Sequence, residues 1–205
     1  MALVEQMHGC QAWMHYADQQ ERFEQWTTQK ISEWDVKYWG LGFCESCPTF
    51  PQSRSLTIPV FYKGQLFDIR HRLLDAENGT KYCSHIPGLT PSFFNLDSVA
   101  GERQVYVVEG EKKAITVAGT GLGSVVGVPG QTFYKRLAQI FDHILTPNQE
   151  ITFIPDPGTI DTVVQHARDI ANKTFVAELW EKPDDFVRLF GQDRFLMALE
   201  FRRPV

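Results

Sequence analysis

QVYVVEGEKKAITVAG, residues 104–119, decides the fold. Its first half is a run of β-branched and aromatic residues that ends in Glu109-Gly110. Its second half has the spacing of a short helix and stops at a glycine. A strand that passes through one glycine into a helix opens a βαβ unit, and the alternation continues downstream. SVVGV (124–128) reads as a strand, FYKRLAQIFDHIL (133–145) as a helix with one apolar face, and EITFIPD (150–156) as a strand. TIDTVVQHARDIAN (159–172) reads as a helix, TFVAELW (174–180) as a strand and DDFVRLFG (184–191) as a last short helix. Strands alternating with helices predict an α/β domain, with a mainly parallel four-stranded sheet, helices on both faces and right-handed crossovers.

Upstream the pattern differs. Residues 18–30 look helical, with Phe23 and Trp26 three apart among charges. Ser32 with Asp35 three later reads as a capping box opening a second short helix, which Gly40 and Gly42 stop. CESCPTFPQSRS (44–55) is a loop, and SLTIPVFYKGQLFDIRHRLL (55–74) reads as a hairpin turning at Lys63-Gly64. Asn78-Gly79 is a further turn signal, and residues 85–102 are irregular. Two parts follow: a smaller mixed α+β lobe, residues 1–100, and an α/β lobe, residues 101–205, divided near Ala100-Gly101-Glu102.

Composition narrows the function classes. A 205-residue chain with 43% hydrophobic and 13% aromatic residues has ample core and is not disordered. A net charge of -5 argues against a protein held on nucleic acid by bulk charge alone. Residues 51–100 are nevertheless positive on balance, with five Lys/Arg against four Asp/Glu, as a local basic groove would need. No apolar run approaches the roughly 20 residues of a membrane span and MALVEQMHGC is no signal peptide, so reduced thiols in a cytoplasm are expected.

Two acids stand where open parallel sheets keep their chemistry, at strand C-terminal ends. They are Glu109, before Gly110, and Asp156, before Pro157-Gly158. Together they are suited to hold Mg2+ or Mn2+ through carboxylate oxygens and water. The alternative is two ordinary strand-end acids, solvated or complementing the next helix. Cys44-x-x-Cys47 is half a zinc site, with Cys83-x-His85 as a candidate other half. The second spacing is unusual, free cysteines often serve as small apolar residues, and zinc is not the expected cofactor. The tryptophans at 13, 26, 34 and 39 are read as packing residues.

In this order, strand–Glu109-Gly110–helix, strand–Gly127-Val128-Pro129, helix, strand–Asp156, helix, strand resembles the TOPRIM domain of DnaG-type primases, topoisomerases and some nucleases. KYWGLGF (37–43), TIPVFYKGQLFDIRHRLL (57–74), Lys81-Tyr82 and PSFFNLD (91–97) resemble the amino-terminal lobe of a DnaG-type primase catalytic core. ELWEKPDDFVRLFG (178–191) is similar to a further primase segment. The resemblance implies template-directed synthesis of short RNA primers from NTPs on single-stranded DNA. It implies Glu109 and Asp156 as catalytic metal acids, and Arg70, Arg72, Lys81 and Lys112 as groups for nucleotide phosphates and template. The family pattern has Asp-x-Asp on the third strand, where this chain has Asp156-Pro157-Gly158. Asp161, on the first turn of the next helix, either joins the metal ligands, directly or through water, or favours the helix N-terminus. Two other readings stay open: a TOPRIM metal-dependent nuclease, and a non-catalytic nucleic-acid-binding module that has lost part of the metal site. No zinc-ribbon module is expected ahead of the core-like part and no helicase segment after it. The expectation is a stand-alone core of the kind a phage or mobile element carries, or one whose replicative helicase and zinc-ribbon protein are separate chains.

Overall fold

The computed structural model describes residue 16 and residues 19–76 and 81–205. The chain divides into two compact units, before and after the Ser92–Phe93 junction.

In the first unit, Trp26 of helix α1 (Arg22–Thr28) is fully buried and its Nε1 donates to the Gly42 carbonyl at 2.9 Å. Helix α2 (Glu33–Tyr38) begins at the expected cap: Ser32 Oγ accepts from the Asp35 backbone N–H and donates to Asp35 Oδ2. Strands β1 (Gly42–Cys44), β2 (Ser55–Tyr62), β3 (Gln65–Leu73) and β4 (Tyr82–Ser84) form an antiparallel sheet in that order. Lys63 and Gly64 both have positive φ, the backbone that a two-residue hairpin turn requires. Trp13 and the Asn78-Gly79 turn lie outside the described residues. The packing role expected of the tryptophans holds for Trp26 and not for Trp34, which is 63% exposed and stacks on exposed Tyr38 with ring centroids 4.8 Å apart.

The second unit is built on β5 (Gln104–Glu109), β6 (Ser124–Val128), β7 (Glu150–Ile154), β8 (Lys173–Val176) and β9 (Arg203–Pro204). The sheet has five strands rather than four, in the order β6-β5-β7-β8-β9. Four are parallel, and β9 adds an antiparallel edge beyond the sequence expectation. Its helices are α3 (Glu111–Ala118), α4 (Tyr134–Ile144), α5 (Ile160–Ala167), α6 (Pro183–Phe190) and α7 (Gln192–Glu200), the last also not foreseen. One core joins Val105 and Val107 of β5 to Tyr134, Leu137 and Phe141 of α4 and Val163 of α5. Helices α3 and α6 pack on each other and contribute nothing to that core.

Phe93, Leu96 and Val99 belong to the same core. The Phe94 backbone also pairs with Gly127 at the middle of the β6 edge. The division therefore falls ahead of Ala100-Gly101-Glu102, since the irregular segment before β5 is packed into the second unit. Gly127 is required by this approach: a Cβ there would lie 3.0 Å from the Gly110 carbonyl and 3.1 Å from Phe94 Cβ. Among the described residues no helix is long and apolar enough to cross a membrane.

Gly42 meets a harder limit, since a Cβ would sit 2.3 Å from the Tyr16 carbonyl and 2.5 Å from Thr57 Oγ1. Gly42→Ala is expected to lower stability by about 1–3 kcal/mol in urea unfolding. Gly64→Ala, in open space at φ +70°, carries only a backbone penalty of about 1 kcal/mol. Equal effects would contradict the close packing at Gly42.

Candidate metal and nucleotide site

The chain leaves β5 toward β6 on one side, while β7 and β8 lie on the other. With right-handed crossovers, the helices after β5 and β7 lie on opposite faces, and a crevice opens between the C-terminal ends of these two strands. Glu109 is the last residue of β5, and Asp156 follows β7 by two residues. Val108 is in register with Ile154, so the two acids emerge at nearly the same level of the sheet edge.

Local sequence explains how each acid is held. Gly110, at φ 89° and ψ 150°, turns the chain from β5 into α3 while its N–H donates to the Val128 carbonyl at 2.7 Å. Asp156-Pro157-Gly158-Thr159 is a β-turn: the Thr159 N–H donates to the Asp156 carbonyl at 3.0 Å, and Gly158 has φ 85°. Proline followed by a positive-φ glycine is the type II signature. Gly158 thus has a conformational task of its own in this turn.

All four βα junctions of the parallel strands contribute to the site. Lys113, on the first turn of α3, donates from Nζ to Asp156 Oδ2 at 2.8 Å, with both side chains largely buried. Gln131, ahead of α4, and Lys182, ahead of α6, lie close enough to Glu109 to favour its ionised form, Lys182 through charge. Burial raises the Glu109 pKa above the usual carboxylate range, Lys113 opposes the rise and the charge of Asp156 adds to it. Tyr134, which opens α4, is also raised, first by burial and then by the two carboxylates, so its hydroxyl keeps its proton. Glu109 Oε2, Asp156 Oδ1 and Tyr134 Oη are buried without a protein partner. Orphaned carboxylate oxygens at a crevice are the donor set a hard divalent cation takes, usually with waters and substrate phosphates completing its shell. The acids therefore fit Mg2+ or Mn2+, and Lys113 already supplies one positive charge against Asp156.

The remaining candidates are more dispersed. Asp161 is exposed on the first turn of α5, where its charge complements the helix N-terminus. Lys112 is paired with Asp184 at 3.0 Å. Arg70 is buried in β3 and donates to Ser84 Oγ at 3.2 Å, next to Asp68, whose pKa burial pushes up to about 6. Arg72 is half-buried, two residues further along β3 on the same face, and Lys81 is exposed. Lys113, Gln131, Tyr134 and Lys182 are the site residues that sequence reasoning missed.

The sulfur and imidazole groups assemble differently from the expected pairs. Cys47, His71 and His85 converge, and Cys83 stands outside the group. Cys83 lies directly opposite His71 in the β3–β4 ladder, so the two side chains project side by side. His85, two residues on and on the same face, reaches the loop that carries Cys47.

No family model matches the chain, and no curated protein matches it in sequence. Solved structures do match. A DnaG primase catalytic domain bound to single-stranded DNA aligns at TM-score 0.77 and 16% identity, over 98% of this chain and 79% of that one. The E. coli primase catalytic core aligns at TM-score 0.75 and 16% identity, over 98% and 80%. The Aquifex aeolicus primase, with zinc-binding and RNA polymerase domains, aligns at TM-score 0.68 and 14% identity, and this chain spans 60% of its length. The chain has the fold of a DnaG-type primase catalytic core.

Proposed function

We propose that the protein is a primase-like nucleotidyltransferase, which joins NTPs into short RNA primers on a single-stranded DNA template. One observation carries the reading: a half-buried carboxylate, Glu109, and a buried one, Asp156, each with an orphaned oxygen, lie at the switch point of a sheet whose whole chain follows the primase-core fold. In this reading the second unit is a TOPRIM catalytic lobe and Glu109 and Asp156 hold Mg2+ or Mn2+. The bound cation supplies Lewis-acid polarisation of the α-phosphate that a primer 3′-hydroxyl attacks. The chain's own groups do the rest. Gln131 favours the ionised Glu109 carboxylate, Lys113 holds Asp156 in place, and Tyr134 offers a neutral donor beside both. Arg72 and Lys81, with Arg70 and Lys112 as further candidates, take nucleotide and template phosphates by charge-assisted hydrogen bonds. The stacked Trp34–Tyr38 pair is a surface on which unpaired bases can stack. Such a protein works in the cytoplasm, in the replication of a cell, phage or mobile element. A replicative helicase and a separate zinc-ribbon protein are its natural partners.

A second reading is favoured by Lys113 and Gly158. An ammonium against Asp156, and a glycine where the family pattern has an acid, suit a nucleic-acid-binding module without catalysis.

Two experiments separate them. With single-stranded DNA, NTPs and Mn2+, the wild-type chain is expected to make short RNA, and Glu109→Gln and Asp156→Asn to lose on the order of 100-fold in rate. Wild type that binds DNA yet makes no RNA would leave the binding module standing. Mn2+ titration followed by electron paramagnetic resonance addresses Lys113. Lys113→Met is expected to tighten Mn2+ binding by about tenfold, since the competing charge is gone. The same change should lower stability in the absence of metal by about 3 kcal/mol, because Asp156 is left unpaired, and Asp156→Asn should restore most of it. Unchanged Mn2+ affinity in Lys113→Met would contradict a cation site at Asp156.

A further inference from the structure

Away from the acids, the first unit holds a second cluster of donors. Cys47 Sγ lies 3.8 Å from His85 Nδ1 and 4.0 Å from His71 Nε2, and the two imidazole nitrogens are 2.9 Å apart. Cys47 and His71 are fully buried. Tyr16 Oη donates to the same sulfur at 3.5 Å, and Cys44, at the end of β1, is buried in the same small apolar cluster as Tyr16 and Cys47. His71 Nδ1 meets Ser55 Oγ at 2.8 Å. Phe50 packs against the His71 ring and Tyr16 stands edge-on to both imidazoles.

We propose that Cys47 Sγ, His71 Nε2 and His85 Nδ1 bind one Zn2+ ion, with Cys44 Sγ as the fourth ligand after a rotation of its side chain. Three features carry this. The donor set is borderline-soft sulfur and imidazole nitrogen, which suits Zn2+ and not Mg2+. The spacing is near what the ion needs: bonds of about 2.0–2.3 Å in a tetrahedron set neighbouring ligands roughly 3.3–3.7 Å apart. The imidazole nitrogens must spread and the sulfur draw in by only a few tenths of an ångström. Lastly, the His71–Ser55 bond is the outer hydrogen bond that fixes a ligating imidazole: Nδ1–H donates to Ser55 and leaves Nε2 with its lone pair toward the cluster.

Without the ion the same groups form a hydrogen-bonded chain, from His85 Nδ1–H to His71 Nε2 and the Cys47 sulfur. On Zn2+ binding that same proton passes through solvent to His85 Nε2, so the imidazole stays neutral, and the two thiols release their protons to solvent. The ion would tie the 44–50 loop to the β3–β4 edge, four ligands from three segments far apart in sequence. It is a structural site, since four protein ligands leave no position for substrate.

Metal analysis of the purified full chain after addition of Zn2+ and gel filtration is expected to find about one ion per chain. Co2+ in its place should show thiolate charge-transfer and tetrahedral d–d bands. Cys47→Ser and His71→Ala should abolish uptake, and Cys83→Ser should retain it in full, as a thiol outside the cluster must. A strong chelator should lower the melting temperature of wild type and leave that of Cys47→Ser unchanged. Folded wild-type chain that takes up neither ion would overturn the proposal, as would loss of binding in Cys83→Ser. Both readouts are on wild type or on a residue outside the site, so a misfolded ligand variant does not decide the result.

Discussion

Two carboxylates and one ammonium share a half-buried crevice, and the C-terminal edge of the parallel sheet is arranged around them. Like charges at adjoining strand ends repel, and burial disfavours their ionised forms. The raised pKa of Glu109 records both effects. Lys113 offsets them by pairing with Asp156, and it can do so because Gly110 lets α3 start within one residue of β5. A longer junction would carry the lysine away. The type II turn at Pro157-Gly158 does the corresponding work after β7, holding the Asp156 backbone in a hydrogen-bonded loop.

The ion pair also defines what the site must do to work. A divalent cation entering the crevice meets two acids and one competing positive charge. In the proposed function it would bind where Glu109 Oε2 and Asp156 Oδ1 point, both free of protein partners, with Lys113 keeping Asp156 Oδ2 or turning to an incoming phosphate. An ammonium that moves from a carboxylate to a phosphate exchanges charge-assisted bonds of similar strength. The site is in this sense partly neutralised, with less need of a resident metal than a cluster of three or four acids.

Much of this was legible beforehand, for reasons that belong to particular residues. The βαβ alternation from Gln104 showed through the switch of apolar period between strand and helix. Glu109 and Asp156 stood out because each follows a β-branched run and precedes a turn glycine. Ser32 and Asp35 announced a helix start that the structure reproduces. Lys113 did not stand out, because in the Glu111-Lys112-Lys113 run it reads as one more solvent-facing charge, and its partner is 43 positions away. β9 is two residues long and carries a proline, so no strand pattern could mark it. His71 was hidden inside a basic, strand-like stretch, whereas Cys83 was conspicuous only for lying two positions from a histidine. Which of the two joins Cys47 depends on the register of β3 against β4 and on the path of the 44–50 loop, and both are tertiary facts.

The central claim is that Glu109 and Asp156 form a divalent-cation site at the switch point, with Lys113 as its built-in competitor. Crystals grown with Mn2+ and a non-hydrolysable nucleoside triphosphate test this most directly, through the anomalous signal of manganese. The account predicts a peak within bonding distance of Glu109 Oε2 and Asp156 Oδ1, absent in Glu109→Gln crystals. A nucleotide-bound crystal with no manganese at these oxygens, and the Lys113–Asp156 pair undisturbed, would contradict it.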